Sequence, residues 1–132
     1  MAAALQSTGA AALVGAQAKA LAGFGEVSMI AGIAALVTFA TEVTSNTALA
    51  ATMMPLIAAV ADALHLEASA LLMATALAAS CAFMMPVATP PNAIVFGTGR
   101  LHIGDMVKAG FWLNILGVVI ITGVLVVYKM FV

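Results

Sequence analysis

Charge is what this sequence has least of: four basic and five acidic side chains among 132 residues, 7% of the chain, against 65% apolar residues. A soluble domain is about a quarter charged, so side chains this few cannot clothe a water-facing surface. The solvent that suits this composition is a bilayer. A net charge of −1 excludes a nucleic-acid partner, because phosphate binding needs a concentrated basic patch. With a single cysteine, Cys81, there is no disulfide framework, and His65 and His102 lie too far apart in sequence for a transition-metal spacing. Gly97-Thr98-Gly99 has neither the third glycine nor the lysine of a phosphate loop. No nucleophile and base pair is apparent either, which speaks against an enzyme. The start, Met1 to Gln6, lacks the basic residues and cleavage pattern of a signal peptide, so the apolar segments are expected to be retained.

The apolar runs are cut into lengths that a simple bundle of spans does not require. Residues 1–26 read as the end of a preceding membrane helix followed by an interfacial segment from Lys19 to Glu26. Residues 28–41 are rich in Ala, Ile, Leu and Val, but at 1.5 Å per residue they reach only about 21 Å, short of the roughly 30 Å hydrocarbon core. A polar cluster, Glu42-Val-Thr-Ser-Asn-Thr47, separates them from a second short apolar arm, 48–61, which holds Pro55. Two half-length arms around a polar tip predict a re-entrant helical hairpin over 27–66 with its tip at 42–47, buried in protein or lining a wet cavity.

Residues 68–99 carry no charge, longer than one straight span needs. The prolines of Val87-Ala-Thr-Pro-Pro-Asn92 remove two backbone donors and disfavour helix before them. The stretch 67–99 therefore reads as a discontinuous transmembrane helix broken at 87–91, its first half ending near Pro86 and its second running from about Pro91 to Gly97. A polar loop, 100–108, follows. A final transmembrane helix occupies 109–132, with Trp112 and Tyr128 at interfacial positions. The fold class is all-α and polytopic. Lys and Arg are balanced, two in the 100–108 loop against Lys19 and Lys129, so charge bias does not orient the chain.

Where one membrane helix stops and another starts, free carbonyls can hold a cation and free amides an anion. Ser45, Asn46 and Thr47 add hydroxyl and amide groups at the first interruption, and Thr89 and Asn92 do so at the second. Such groups bind an anion without burying a fixed positive charge. They are also what structural bonds between membrane helices use. Glu42, an acid inside a membrane segment, marks function or pairs with a partner in protein. Asn114 in the last span reads as an interhelical hydrogen bond, and the nine methionines as adaptable packing rather than a copper site.

The two stretches Thr41-Glu-Val-Thr-Ser-Asn-Thr-Ala48 and Ala79-Ser-Cys-Ala-Phe-Met-Met-Pro-Val-Ala-Thr-Pro-Pro-Asn-Ala-Ile-Val95, in this order, resemble the divalent anion:sodium symporters. The resemblance covers essentially the whole chain but only the C-terminal half of such a transporter, one of two inverted repeats, the other being absent. It implies that Ser45, Asn46 and Thr47 contact substrate carboxylates, with Thr89 and Pro90 beside the same pocket. It implies a sodium site at the backbone near Thr41, Thr44 and Ala88, with Asn46 assisting. Family members carry C4-dicarboxylates, citrate or sulfate with sodium, some by exchange, through an elevator movement against a dimeric scaffold. The expected function is sodium-coupled dicarboxylate symport in a bacterial inner membrane, with membrane lipid, the N-terminal half and a second copy of the transporter as partners. The second reading is a small non-transporting membrane protein or subunit whose hairpin serves helix assembly, with a sulfate transporter fragment as a further alternative.

Overall fold

Among the described residues most of the apolar runs are helical and there is no strand. The computed structural model describes Gly23 and residues 25–131; the segment expected at 1–26 lies almost wholly outside them. Its helices are α1 (Glu26–Ala40), α2 (Asn46–Leu64), α3 (Ala68–Ala78), α4 (Pro90–Gly97) and α5 (Ile103–Phe131).

α1 is 15 residues long, about 22 Å. It buries Met29, Ile30, Ile33, Ala34, Val37 and Thr38, the i, i+3, i+4 stripe of a core-facing helix. α2 runs for 19 residues and tolerates Pro55 in its interior. It is longer than the arm expected at 48–61 and, with α5, is long and apolar enough to cross a membrane. Asp62 and Ala61 supply its capping carbonyls, to the amide of His65 at 3.3 Å and that of Leu66 at 2.9 Å. His65 is left-handed at φ 54°. This paired arrangement is a Schellman cap.

α3 stops at Ala78, well before the expected end near Pro86, and residues 79–89 are irregular. Prolines do not explain so early an end; tertiary hydrogen bonds do, as described below. α4 starts with Pro90 and Pro91 in its first turn, and the Thr89 hydroxyl accepts from the Asn92 amide at 3.4 Å as the N-cap. α5 begins at Ile103, so most of the polar loop expected at 100–108 is helix. The His102 carbonyl accepts from the amides of Asp105 and Met106, and the Asp105 carboxylate accepts in return from the His102 amide at 3.3 Å. That return bond is half of a capping box, and it places the helix start where charge alone implied a loop.

α1, α3 and α5 pack on one another, and α2 joins through α3. The core is Ile30, Val37, Ile57, Leu71, Ala74 and Leu125 with their neighbours. α4 buries no residue. Trp112, Leu116, Val119, Ile120, Val124 and Val127 leave one side of α5 bare and apolar, a face suited to hydrocarbon rather than to water.

Lys129, at the end of α5, pairs with Glu26 at the start of α1; the two side chains are 26% and 28% exposed. Solvent screens such a pair, so Lys129→Met should cost under about 1 kcal/mol. Thermal unfolding of the detergent-solubilised chain should therefore move by only a few degrees; a collapse of the fold would show that the pair, not the apolar core, holds α1 to α5.

Candidate functional site

The segment between α1 and α2 meets the irregular stretch 79–89 at one buried carboxylate. Glu42 is 4% exposed. Its Oε1 accepts from the amide of Phe83 at 2.7 Å and that of Met84 at 2.9 Å; its Oε2 accepts from Met84 and from Met85, each at 3.0 Å. Asn114 of α5 adds its Nδ2 to Oε1 at 2.7 Å. Every one of these partners is a donor, which matches an acceptor-only carboxylate. Three successive amides form an anion nest, here filled by a side chain of the protein itself. Among the described residues the partners of Glu42 are thus backbone and an amide, with no cation, and the bond expected of Asn114 is made to the turn after α1 rather than to another helix.

This explains the early end of α3. Amides that would have continued the helix are turned onto Glu42. Some carbonyls of the same stretch are met as well: Asn92 Nδ2 donates to Ala82 and Met85, each at 3.0 Å. The Thr41 hydroxyl lies 3.2 Å from the Ala79 carbonyl. An unwound segment at membrane depth is tolerable only when its backbone groups are satisfied in this manner. α5 approaches it closely. A Cβ on Gly110 would lie 2.3 Å from the Phe83 carbonyl oxygen, so only glycine fits there. Gly110 and Asn114 are one turn apart on the same face of α5.

The expected anion residues are placed as follows. Ser45 is the N-cap of α2 and is exposed, but its side chain caps no amide; its hydroxyl lies 3.1 Å from that of Thr47. Asn46 and Thr47 form the first turn of α2. Thr89 caps α4 and Pro90 opens it. Among the described residues no hydrogen bond joins Ser45, Asn46 or Thr47 directly to Thr89 or Pro90. The link is indirect, from Glu42 to the Met85 amide, from the Met85 carbonyl to Asn92 Nδ2, and from the Asn92 amide to Thr89.

Of the expected sodium residues, Thr41 is buried and its Oγ1 lies 2.5 Å from Asn46 Oδ1. The Thr44 hydroxyl donates to the Ala40 carbonyl at 2.8 Å. Among the described residues, no backbone amide donates to the carbonyls of Thr44 or Ala88. Carbonyl and amide oxygens of this kind are hard donors, the type a hard cation takes. Among the described residues the basic side chains are elsewhere: Arg100 and Lys108 are exposed beyond α4, and Lys129 is paired.

Sequence reasoning did not find the nest or Gly110. Backbone amides have no letter in a sequence. The available signal was Gly110 and Asn114 at a spacing of four in an otherwise apolar span, the small-and-polar pattern of close helix contacts.

Residues 1–132 match the family model described as the sodium:sulfate symporter transmembrane region. Over 124 residues the chain is 44% identical to the sodium-dependent dicarboxylate transporter SdcS of Staphylococcus saprophyticus, covering 94% of this chain and 24% of that protein. The SdcS protein of Staphylococcus aureus strain USA300 is 41% identical over the same length and coverage. The chain therefore spans 24% of the length of these curated relatives, not the half that the resemblance implied. A family match that leaves out no part of the chain agrees with relatives at 44% and 41% identity, and on that ground the chain belongs to the sodium:sulfate symporter family of membrane transporters.

Proposed function

We propose that the chain carries part of the substrate and sodium sites of a sodium-coupled secondary transporter for divalent anions, C4-dicarboxylates such as succinate first among them. The observation that carries this reading is the start of α2. Ser45 leaves the first-turn amides without a side-chain cap, beside the hydroxyls of Ser45 and Thr47 and the amide of Asn46. A helix N-terminus with no competing cap receives a carboxylate oxygen well. Among the described residues no lysine or arginine stands beside it, and neutral donors keep binding reversible, as a carrier needs.

On this reading α1 and α2 are the arms of a re-entrant hairpin with its tip at 42–47. α3, the stretch 79–89 and α4 form the broken helix, and α5 is the final span. Thr89 and Pro90 border the anion pocket. Sodium is cargo rather than cofactor, held by oxygens of Thr41, Thr44, Asn46 and Ala88. Symport then proceeds by an elevator movement in a homodimer of the full transporter, in a bacterial plasma membrane. The names of the relatives, which specify dicarboxylate, favour that class; the description of the family, which specifies sulfate, makes sulfate the natural competitor to test.

Asn46→Ala and Thr47→Ala remove polar ligands without opening a large core cavity. In a full-length transporter carrying this segment, each should abolish sodium-driven succinate uptake while leaving membrane insertion intact. Wild-type uptake in both would sink the assignment. Inhibition of uptake by sulfate more strongly than by unlabelled succinate would transfer it to the sulfate class.

A further inference from the structure

We infer that Asn114, on a helix that supplies none of the expected ligands, is a positioning residue for the sodium site and acts on it through Glu42. The inference rests on the sodium-coupled reading above and adds a residue to it. Asn114 is fully buried, and its Nδ2 donates to Glu42 Oε1 at 2.7 Å. Its Oδ1 is equally buried and, among the described residues, has no hydrogen-bond partner. A residue kept for packing would be served by an apolar side chain of that size, without an orphaned acceptor. What Asn114 contributes is the donated bond.

That bond sits where the two halves of the expected sodium site are joined. On one side Glu42 directly follows Thr41, whose hydroxyl faces Asn46 Oδ1 and the Ala79 carbonyl. On the other it holds the amides of residues 83–85, the stretch that leads into Ala88 and Thr89. Glu42 therefore sets the separation between the Thr41–Asn46 oxygens and the Ala88 oxygen. Asn114 and the close approach at Gly110 fix where the carboxylate and its amides stand relative to α5. A cation bound by oxygens from two segments is sensitive to small changes in their spacing. Loosening Glu42 from the α5 side spreads those donors while leaving every one of them in the chain.

The test is sodium-driven succinate uptake by a full-length transporter carrying this segment, measured as a function of sodium concentration and normalised to the amount of protein in the membrane. Asn114→Ala should raise the half-saturating sodium concentration about tenfold, with a much smaller change in the succinate KM at saturating sodium. Asn114→Ser, which keeps a shorter donor, should shift it in the same direction by less, and decides the matter alone if the alanine variant is not recovered. Leu125→Ala, a core truncation on the same helix far from Glu42 in sequence, should lower protein abundance and leave the sodium dependence in place. Asn114 variants with the sodium dependence of the unsubstituted transporter would overturn the inference alone. Absence of sodium-stimulated uptake in the unsubstituted transporter would overturn the transport reading, and this inference with it.

Discussion

Alanine at Gly110 should stop transport and destabilise the fold. The added Cβ would meet the Phe83 carbonyl oxygen at 2.3 Å, the Phe83 carbonyl carbon at 2.5 Å and the Met84 Cα at 2.6 Å. All three are backbone atoms, so no side-chain rotation relieves the overlap. The backbone cannot retreat cheaply either, because the amides of Phe83 and Met84 are the ones that hold Glu42. Overpacking of a core typically costs about 1–3 kcal/mol, and here relief of the clash also lengthens hydrogen bonds to a buried carboxylate. Gly117→Ala, whose Cβ would lie 3.8 Å from Cys81 Sγ in ordinary contact, is the matched control. Thermal stability of the detergent-solubilised protein and, in a full-length transporter carrying this segment, the succinate uptake proposed above should both fall at position 110 and both survive at 117. Alanine at 110 with unchanged stability would mean that α5 does not meet the unwound stretch as closely as these distances state.

Glu42→Gln should be nearly as damaging although it changes one oxygen to nitrogen. Both carboxylate oxygens accept from backbone amides. With the side-chain NH₂ in place of Oε2 it would face the amides of Met84 and Met85; in place of Oε1 it would face Phe83, Met84 and Asn114. No orientation avoids donor against donor. A buried polar group left unpaired costs about 1–3 kcal/mol, and at least two are created, a large fraction of the whole stability of a typical domain. Cys81, the single cysteine, lies at the start of the unwound stretch and is partly buried, so its labelling by a maleimide reports opening there. Labelling should accelerate by roughly tenfold for each 1.4 kcal/mol of lost local stability. Glu42→Asp, which keeps both acceptors on a shorter arm, should fall between. An unaltered labelling rate in Glu42→Gln would show that the stretch 79–89 holds its shape by other means.

These two positions also show where sequence reading stops. Thr89-Pro90-Pro91 announces the start of α4, because a hydroxyl N-cap and prolines in the first turn are local chemistry. The polar run from Glu42 to Thr47 announces an interruption between two helices for a similar reason, and α1 does end at Ala40. By contrast, Ala79-Ser80-Cys81-Ala82-Phe83-Met84-Met85 has no breaker in it, and helix propensity would carry α3 through. It unwinds because Glu42, 41 residues earlier than Phe83, competes for its amides. α5 likewise starts at Ile103 through the Asp105 carboxylate returning to the His102 amide, where counted charges pointed to a loop. For the expected site, candidate residues could be named, since hydroxyls and amides in a membrane segment stand out. Their spatial relation was not.

By itself the sequence determined the solvent, the helical class, the presence of two interruptions and the family, since these follow from composition, run length and local motifs. Tertiary structure alone decided where α3 ends, what Glu42 binds and why Gly110 and Asn114 stand on α5. The physical reason is that a backbone amide freed from a helix in a membrane must find another acceptor, and which acceptor reaches it depends on how distant segments pack.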